Sequence, residues 1–77
     1  MESKLTPLIA EILHLPPEKI TDSLAMNEVE SWDSLQHMNL IASLEQTFGV
    51  ELTFEEIVTM KNVQEIKRVL GTKGVNP

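Results

Sequence analysis

Helical hydrophobic periodicity recurs along this chain and restricts its fold more than any other feature. The first apolar set follows the spacing i, i+3, i+4, i+7, i+8, which places its members on one side of a helix: Leu5, Leu8, Ile9, Ile12 and Leu13. The pattern predicts a first helix from about Ser3 to His14. Pro16 and Pro17 then end it, because proline cannot continue a helical hydrogen-bond ladder.

Residues 15–32 form a long connection with no sustained period. They mix proline and charged residues with isolated apolar side chains, namely Leu15, Ile20, Leu24, Met26 and Val29. Unstructured loops of this length are uncommon in small domains. We therefore expect the connection either to pack through these apolar residues or to serve the function.

The second helix has the clearest boundaries. Asp33 is a good N-cap residue, and Gly49 is well suited to end a helix in a left-handed conformation. The spacing between them predicts a helix from Ser34 to Phe48, widened on its apolar side by Leu40 and Ala42. Its predicted core side carries Leu35, Met38, Ile41, Leu44 and Phe48.

Two shorter helices follow. The segment 53–56 has the spacing of a capping box and predicts a helix over residues 54–59. Residues 62–65 repeat the signal, and the apolar residues from Val63 to Leu70 predict a last helix that Gly71 ends. The predicted fold is all-α: a small four-helix bundle with a long loop between helices 1 and 2 and a short third helix. Residues 1–71 form its single domain, and residues 72–77 are a flexible tail.

Size, cysteine content and charge exclude several classes of function. A chain of 77 residues leaves little room for a deep substrate cleft beside its core. It has no cysteine, which fits a cytoplasmic protein, and any thiol chemistry would need an attached group. No apolar run approaches the roughly 20 residues of a membrane span, and no signal peptide is evident.

The charge distribution argues against a nucleic-acid partner. The net charge is −6, and ten acidic residues between Glu11 and Glu56 face one basic residue, Lys19. A DNA-binding helix-turn-helix protein is disfavoured for the same reason, since the second helix has no Lys or Arg. The acidic surface serves solubility alone or also steers basic partner proteins, and the sequence leaves both open.

Few residues could form a catalytic constellation. His14 and His37 are the only histidines, and His37 follows Ser34 by one turn, facing away from Leu35 and Met38. No third group that would orient the histidine is evident, and no metal-ligand spacing occurs. We therefore expect neither a catalytic nor a metal site.

Ser34 stands at the start of the second helix, directly behind the acidic cap. Serine is common there for structural reasons, because its hydroxyl can satisfy a free amide. A helix N-terminus also accommodates phosphate through its free N–H groups and dipole. The residues alone leave both interpretations open.

The order of several short motifs resembles the acyl carrier protein family across nearly the whole chain. The triplet Asp33-Ser34-Leu35 looks like the attachment motif of that family. The surrounding segments occur in the family's order and spacing: residues 15–20, Leu24, Leu44-Glu45, Phe48-Gly49, residues 50–52 and Val63. The resemblance implies that Ser34 receives 4'-phosphopantetheine from coenzyme A as a phosphodiester, and that the chain itself is not an enzyme.

The same resemblance implies partners and further site residues. The expected partners are a phosphopantetheinyl transferase, an acyl-loading ligase or acyltransferase, and condensing or acyl-transferring enzymes, with the carrier itself a monomer. The implied partner-recognition residues are Asp33, Leu35, Met38, Glu45 and Trp32. The implied acyl cleft, whose members are otherwise simply core, consists of Ile41, Ala42, Ile57 and Val58, with Met38 as a further candidate. Trp32 either anchors the loop or shapes a partner surface.

Two departures from the fatty-acid-synthesis pattern predict a specialised carrier. The exposed face of the second helix keeps only Glu45 as an acidic residue, and bulky Trp32 stands where a small residue is common. We expect service in secondary metabolism, lipid modification or amino-acid activation. The alternative is an interaction module of the same fold that carries no prosthetic group.

Overall fold

The computed structural model of the chain describes residues 4–75. It contains α1 (Leu5–Leu13), α2 (Ser34–Phe48), α3 (Phe54–Thr59) and α4 (Val63–Thr72), and no strand among the described residues. The predicted all-α fold with a long first connection and a short third helix is confirmed. The bounds of α2 and α3 agree with the sequence prediction, while Ser3, the predicted start of the first helix, lies outside the described residues.

Local capping signals fix three of the helix starts. Asp33, Thr53 and Asn62 each accept a hydrogen bond from a backbone N–H three residues later, at 2.8, 3.2 and 2.7 Å respectively. At Thr53 the capping box is complete, because the Glu56 carboxylate also accepts from the Thr53 amide at 2.9 Å. These side chains satisfy amides that lack partners within the helix.

Two helices end in the left-handed conformation. Gly49 follows α2 with φ 65°, as its position in the sequence predicts. His14 follows α1 with φ 57°, which is uncommon for a residue other than glycine. Its amide donates to the Ala10 carbonyl and closes the helix.

The end of α4 differs from the prediction. The helix passes Gly71 and continues to Thr72, whose hydroxyl donates to the Val69 carbonyl at 2.6 Å. Val75 is partly buried against the core, and its amide donates to the Leu70 carbonyl at 3.0 Å. The sequence suggested that residues from Thr72 onwards have little to bury, and for Val75 this is wrong.

The connection between α1 and α2 packs on the bundle. It contains 3₁₀ turns at Pro17–Lys19 and Met26–Glu28. The connection therefore packs through its apolar residues, which is the first of the two expectations. The residues that lie partly buried against the core are Leu15, Ile20, Leu24, Met26 and Val29. Backbone hydrogen bonds from Met26 N to Lys61 O (2.7 Å) and from Val63 N to Leu24 O (3.0 Å) join it to the chain between α3 and α4.

The core-facing side of α2 differs from the sequence prediction. Ile41 and Leu44 are buried as predicted, but Leu35 is 70% exposed and Met38 is 52% exposed. The buried positions of α2 are His37, Leu40, Ile41 and Leu44. Leu40, Ile41 and Leu44 pack with α1, Trp32 and α4 in one cluster that also contains Leu5, Ile9, Leu13, Met60, Val63, Ile66, Val69 and Leu70. The helix is apolar on more than one side, and its neighbours decide which side is buried.

Candidate functional site

Ser34 is the first residue of α2 and is exposed. Its hydroxyl makes no hydrogen bond with any residue of the described range 4–75. The N–H groups of Ser34 and Leu35 precede the first intrahelical hydrogen bond, so they lack partners within the helix. A nucleophilic oxygen that another protein can reach therefore lies at the positive end of a helix dipole.

A cleft between α2 and α3 begins at Ser34. Its volume is about 310 Å³. Lys61 is the only lining residue with a cationic side chain, and that side chain forms no ion pair within residues 4–75. The lining is otherwise mostly apolar and comprises Met26, Ser34, His37, Met38, Phe54, Ile57, Val58 and Lys61. A larger groove of about 450 Å³ runs along the first connection but does not include Ser34.

Hydrogen bonds occupy both ring nitrogens of His37 behind this cleft. Trp32 Nε1 donates to His37 Nδ1 at 3.0 Å, and His37 Nε2 lies 2.9 Å from the carbonyl oxygen of Ile57. His37 is 7% exposed. With both nitrogens engaged, the imidazole is not placed to take a proton from Ser34.

The structure brings only part of the predicted acyl cleft together. Ile57 and Val58 line the cleft with Met38. Ile41 is instead buried in the core, and Ala42 is exposed on α2; neither lines the cleft. The cleft instead opens along the Ser34–Met38 side of α2, and a role for Ile41 and Ala42 in shielding an acyl chain stays a prediction.

The predicted partner-recognition residues lie in different environments. Leu35 and Met38 are exposed near Ser34, and Asp33 is exposed while capping α2. Trp32 is only 2% exposed, so it anchors the connection in the core and does not present a surface to a partner. Glu45 is half-buried, and its Oε2 accepts from the Leu52 amide at 2.9 Å.

Sequence reasoning did not place four residues in the cleft: Met26, His37, Phe54 and Lys61. Met26 and Lys61 meet through the backbone bond between the first connection and the segment after α3. Such a long-range contact leaves no local signal. Phe54 did leave a local signal. It is a large aromatic residue at the first position of a six-residue helix, where its side chain has little chance of reaching the core.

The charged groups of α3 are held at its N-terminus. The pKa of Glu56 is lowered from its ordinary value chiefly by the hydrogen bond from the Thr53 amide and then by Lys73, whose Nζ lies 2.9 Å from Glu56 Oε1.

Among residues 4–75, no cluster of His, Cys, Asp or Glu is arranged to hold a metal ion. None of the helices within residues 4–75 has the length and hydrophobicity of a membrane span.

Comparisons of the sequence and of the structure with known proteins agree with one another. A family model described as "Phosphopantetheine attachment site" matches residues 3–70. An acyl carrier protein of Thermosynechococcus vestitus is 34% identical over 70 residues, which cover 91% of this chain and 86% of that protein. One from Buchnera aphidicola subsp. Baizongia pistaciae is 36% identical over 66 residues, covering 86% and 85%. The solution structure of a holo acyl carrier protein from Geobacter metallireducens superposes with a TM-score of 0.80 at 32% identity, covering 90% of this chain and 79% of that one.

Proposed function

Because the chain belongs to the phosphopantetheine-binding family of acyl carrier proteins, whose prosthetic group is 4'-phosphopantetheine, we propose that Ser34 is the residue to which the group is attached. Members of this family are carriers and generally not catalysts. The single observation that carries the proposal is an exposed, unbonded serine hydroxyl at the N-terminus of α2, directly beside an apolar cleft.

The residues around Ser34 fit the phosphate of such a group. The free N–H groups of the first turn of α2 and the dipole of this 15-residue helix favour an anion there. Lys61 supplies a cation on the same cleft. The Asp33 carboxylate is already hydrogen-bonded to the Gln36 amide, which leaves the Ser34 hydroxyl free for modification.

In the attachment reaction Ser34 Oγ displaces 3',5'-ADP from coenzyme A and forms a phosphodiester. The hydroxyl proton passes to a base of the transferase, since His37 is engaged on both ring nitrogens. The attached group supplies a thiol that carries acyl chains as thioesters, which this chain, lacking cysteine, cannot supply itself. The roles of the protein are to hold the arm, to shield apolar cargo and to present it.

Apolar cargo fits the cleft between α2 and α3. Ile57 is half-buried and Val58 is 46% exposed, so both offer apolar surface that a bound chain would cover. Each methylene removed from water contributes about 0.8 kcal/mol. Covering the cleft therefore favours a state in which the cargo lies along α3.

The partners in this proposal are a phosphopantetheinyl transferase, a loading ligase or acyltransferase, and condensing or acyl-transferring enzymes. A role in lipid biosynthesis is typical of acyl carrier proteins. We place this chain in a specialised pathway, because the exposed positions of α2 carry no charge. Failure to exchange acyl chains with housekeeping condensing enzymes would support this assignment, and efficient exchange would contradict it.

The deciding experiment is the intact mass of the protein after incubation with coenzyme A and a permissive phosphopantetheinyl transferase. We expect the wild type to gain one arm and Ser34→Ala to gain none. Ser43→Ala, on the same helix, is the matched control and should be loaded like the wild type. Circular dichroism checks that each variant is folded. An unchanged mass of the wild type would point to an interaction module without a prosthetic group.

A further inference from the structure

Two cavities lie on either side of a hydrogen-bonded pair of buried side chains. The cleft beside Ser34 has a volume of about 310 Å³, and His37 forms part of its lining. A second cavity of about 510 Å³ lies between the first connection and the segment after α3. Trp32 lines this second cavity and donates to His37 at 3.0 Å. The imidazole and the indole therefore stand in series between the two cavities.

The main chain closes the rest of the boundary between these cavities. Among residues 4–75, the two cavities share Met26 and Lys61 as lining residues and no others. A backbone hydrogen bond of 2.7 Å from the Met26 amide to the Lys61 carbonyl joins these two residues. Passage from one cavity to the other therefore depends on the side chains of Trp32 and His37.

Displacing this pair is costly, because both rings are buried and bonded. Trp32 is 2% exposed and His37 is 7% exposed. The second ring nitrogen of His37, Nε2, lies 2.9 Å from the Ile57 carbonyl oxygen. A hydrocarbon chain that pushed the imidazole aside would leave the indole N–H, the imidazole and this carbonyl without partners. Each unsatisfied buried group costs more than one buried methylene returns.

We propose that the Trp32–His37 pair is the end wall of the acyl site and restricts this carrier to short acyl chains. The inference rests on the proposed carrier function, since it concerns a chain held on the arm of Ser34. The cleft volume of about 310 Å³ is roughly ten times the share of one water molecule in the liquid, about 30 Å³, and a methylene group takes a similar space. The cleft therefore holds at most about ten carbon atoms, and a longer chain leaves its remainder in water.

The thermal stability of the acylated full chain measures how much of each acyl chain is buried. The probes are butanoyl, octanoyl, dodecanoyl and hexadecanoyl coenzyme A, from which a permissive phosphopantetheinyl transferase adds the acylated arm. We expect the Tm of the wild type, relative to the unacylated holo protein, to rise from butanoyl to octanoyl. From dodecanoyl to hexadecanoyl it should change by less than about 1 °C. A Tm that keeps rising to hexadecanoyl would overturn the proposal.

Removal of the end wall should extend this response to longer chains. In Trp32→Ala and His37→Ala we expect the Tm to keep rising from dodecanoyl to hexadecanoyl, because the chain then reaches the second cavity. Leu44→Ala is the matched control, since it truncates a buried residue of α2 that lies outside the cleft. It should lower the Tm of every form and keep the wild-type plateau. The same plateau in folded end-wall variants would overturn the proposal. If Trp32→Ala is unfolded by circular dichroism, His37→Ala decides.

The indole N–H gives a second readout that needs no variant, because Trp32 is the only tryptophan of the chain. Its side-chain signal in a proton–nitrogen NMR spectrum reports whether the bond to His37 persists. We expect this signal to keep its position and its slow exchange with solvent from octanoyl to hexadecanoyl. A signal that exchanges rapidly only with the longer chains would mean that the pair yields, and would overturn the proposal.

Failure of this inference and failure of the carrier function give different results. No arm on the wild type would overturn both. An acylated arm whose effect on Tm has no plateau would overturn the inference and leave the carrier function intact.

Discussion

The indole N–H of Trp32 donates a 3.0 Å hydrogen bond to Nδ1 of His37, and both side chains are buried. Because the indole can only donate, Nδ1 must accept, and Nε2 therefore carries the proton donated to the Ile57 carbonyl. The tautomer is thus assigned from the hydrogen-bond network. These two bonds join the first connection, α2 and α3 behind the cleft.

Removing the indole donor should weaken the fold measurably. Trp32→Phe leaves His37 Nδ1 without its donor in a buried position, and we expect the free energy of unfolding to fall by about 1–3 kcal/mol. Urea denaturation of Trp32→Phe, His37→Phe and the double variant measures the coupling between the two residues. We expect a coupling of about 0.5–3 kcal/mol. Additive losses would contradict an energetically important bond.

The capping role of Asp33 predicts a difference between two neighbouring substitutions. Asp33→Ala removes the acceptor of the Gln36 amide and should lower the free energy of unfolding by about 1 kcal/mol. Ser34→Ala should change it by less than about 0.5 kcal/mol, since the Ser34 side chain is exposed. Asp33→Asn is the control, because asparagine also caps. Equal losses for the two alanine variants in urea denaturation would disprove the assignment.

The lowered pKa of Glu56 gives a pH-dependent prediction. Its causes are first the Thr53 amide and then Lys73, and both stabilise the ionised carboxylate. The contribution to stability is therefore fully present above the ordinary pKa of 4.5 and is lost as the pH falls below it through the folded-state pKa. Thermal melts of Glu56→Gln should show a lower Tm than the wild type at neutral pH, and the difference should shrink in acid. Glu55→Gln, the control, should show no such convergence.

The position of the cleft predicts which residues shield an acyl chain. Loading with an octanoyl group should raise the Tm of the wild type by a few degrees, because the chain covers apolar surface. We expect Val58→Ser to lose about half of this gain. Ala42→Ser, which changes an exposed α2 residue outside the cleft, should retain all of it. If Ala42→Ser lost the gain in Tm and Val58→Ser kept it, the result would instead support the cleft wall that was expected from sequence.

The sequence determined the helices of this protein. Asp33, Thr53 and Gly49 act on amides or carbonyls within a few residues of themselves, so a local pattern suffices to locate the starts of α2 and α3 and the end of α2. The prediction that Gly71 ends α4 is wrong, because glycine permits a helix end without requiring one. Here the last turn continues to Thr72. The candidate serine was also predictable, since its position depends only on the start of α2.

Tertiary structure alone decided which side of α2 faces inward. Its apolar residues lie on two sides and not on the single side expected from sequence: Leu35 and Met38 lie on one, Leu40 and Leu44 on the other. The second side is buried because α1 and α4 cover it. His37 is also buried, together with Trp32, which donates a hydrogen bond to it. The first stays exposed beside Ser34. Helix spacing specifies which residues share a side, but only the neighbours packed against the helix determine which side loses its water.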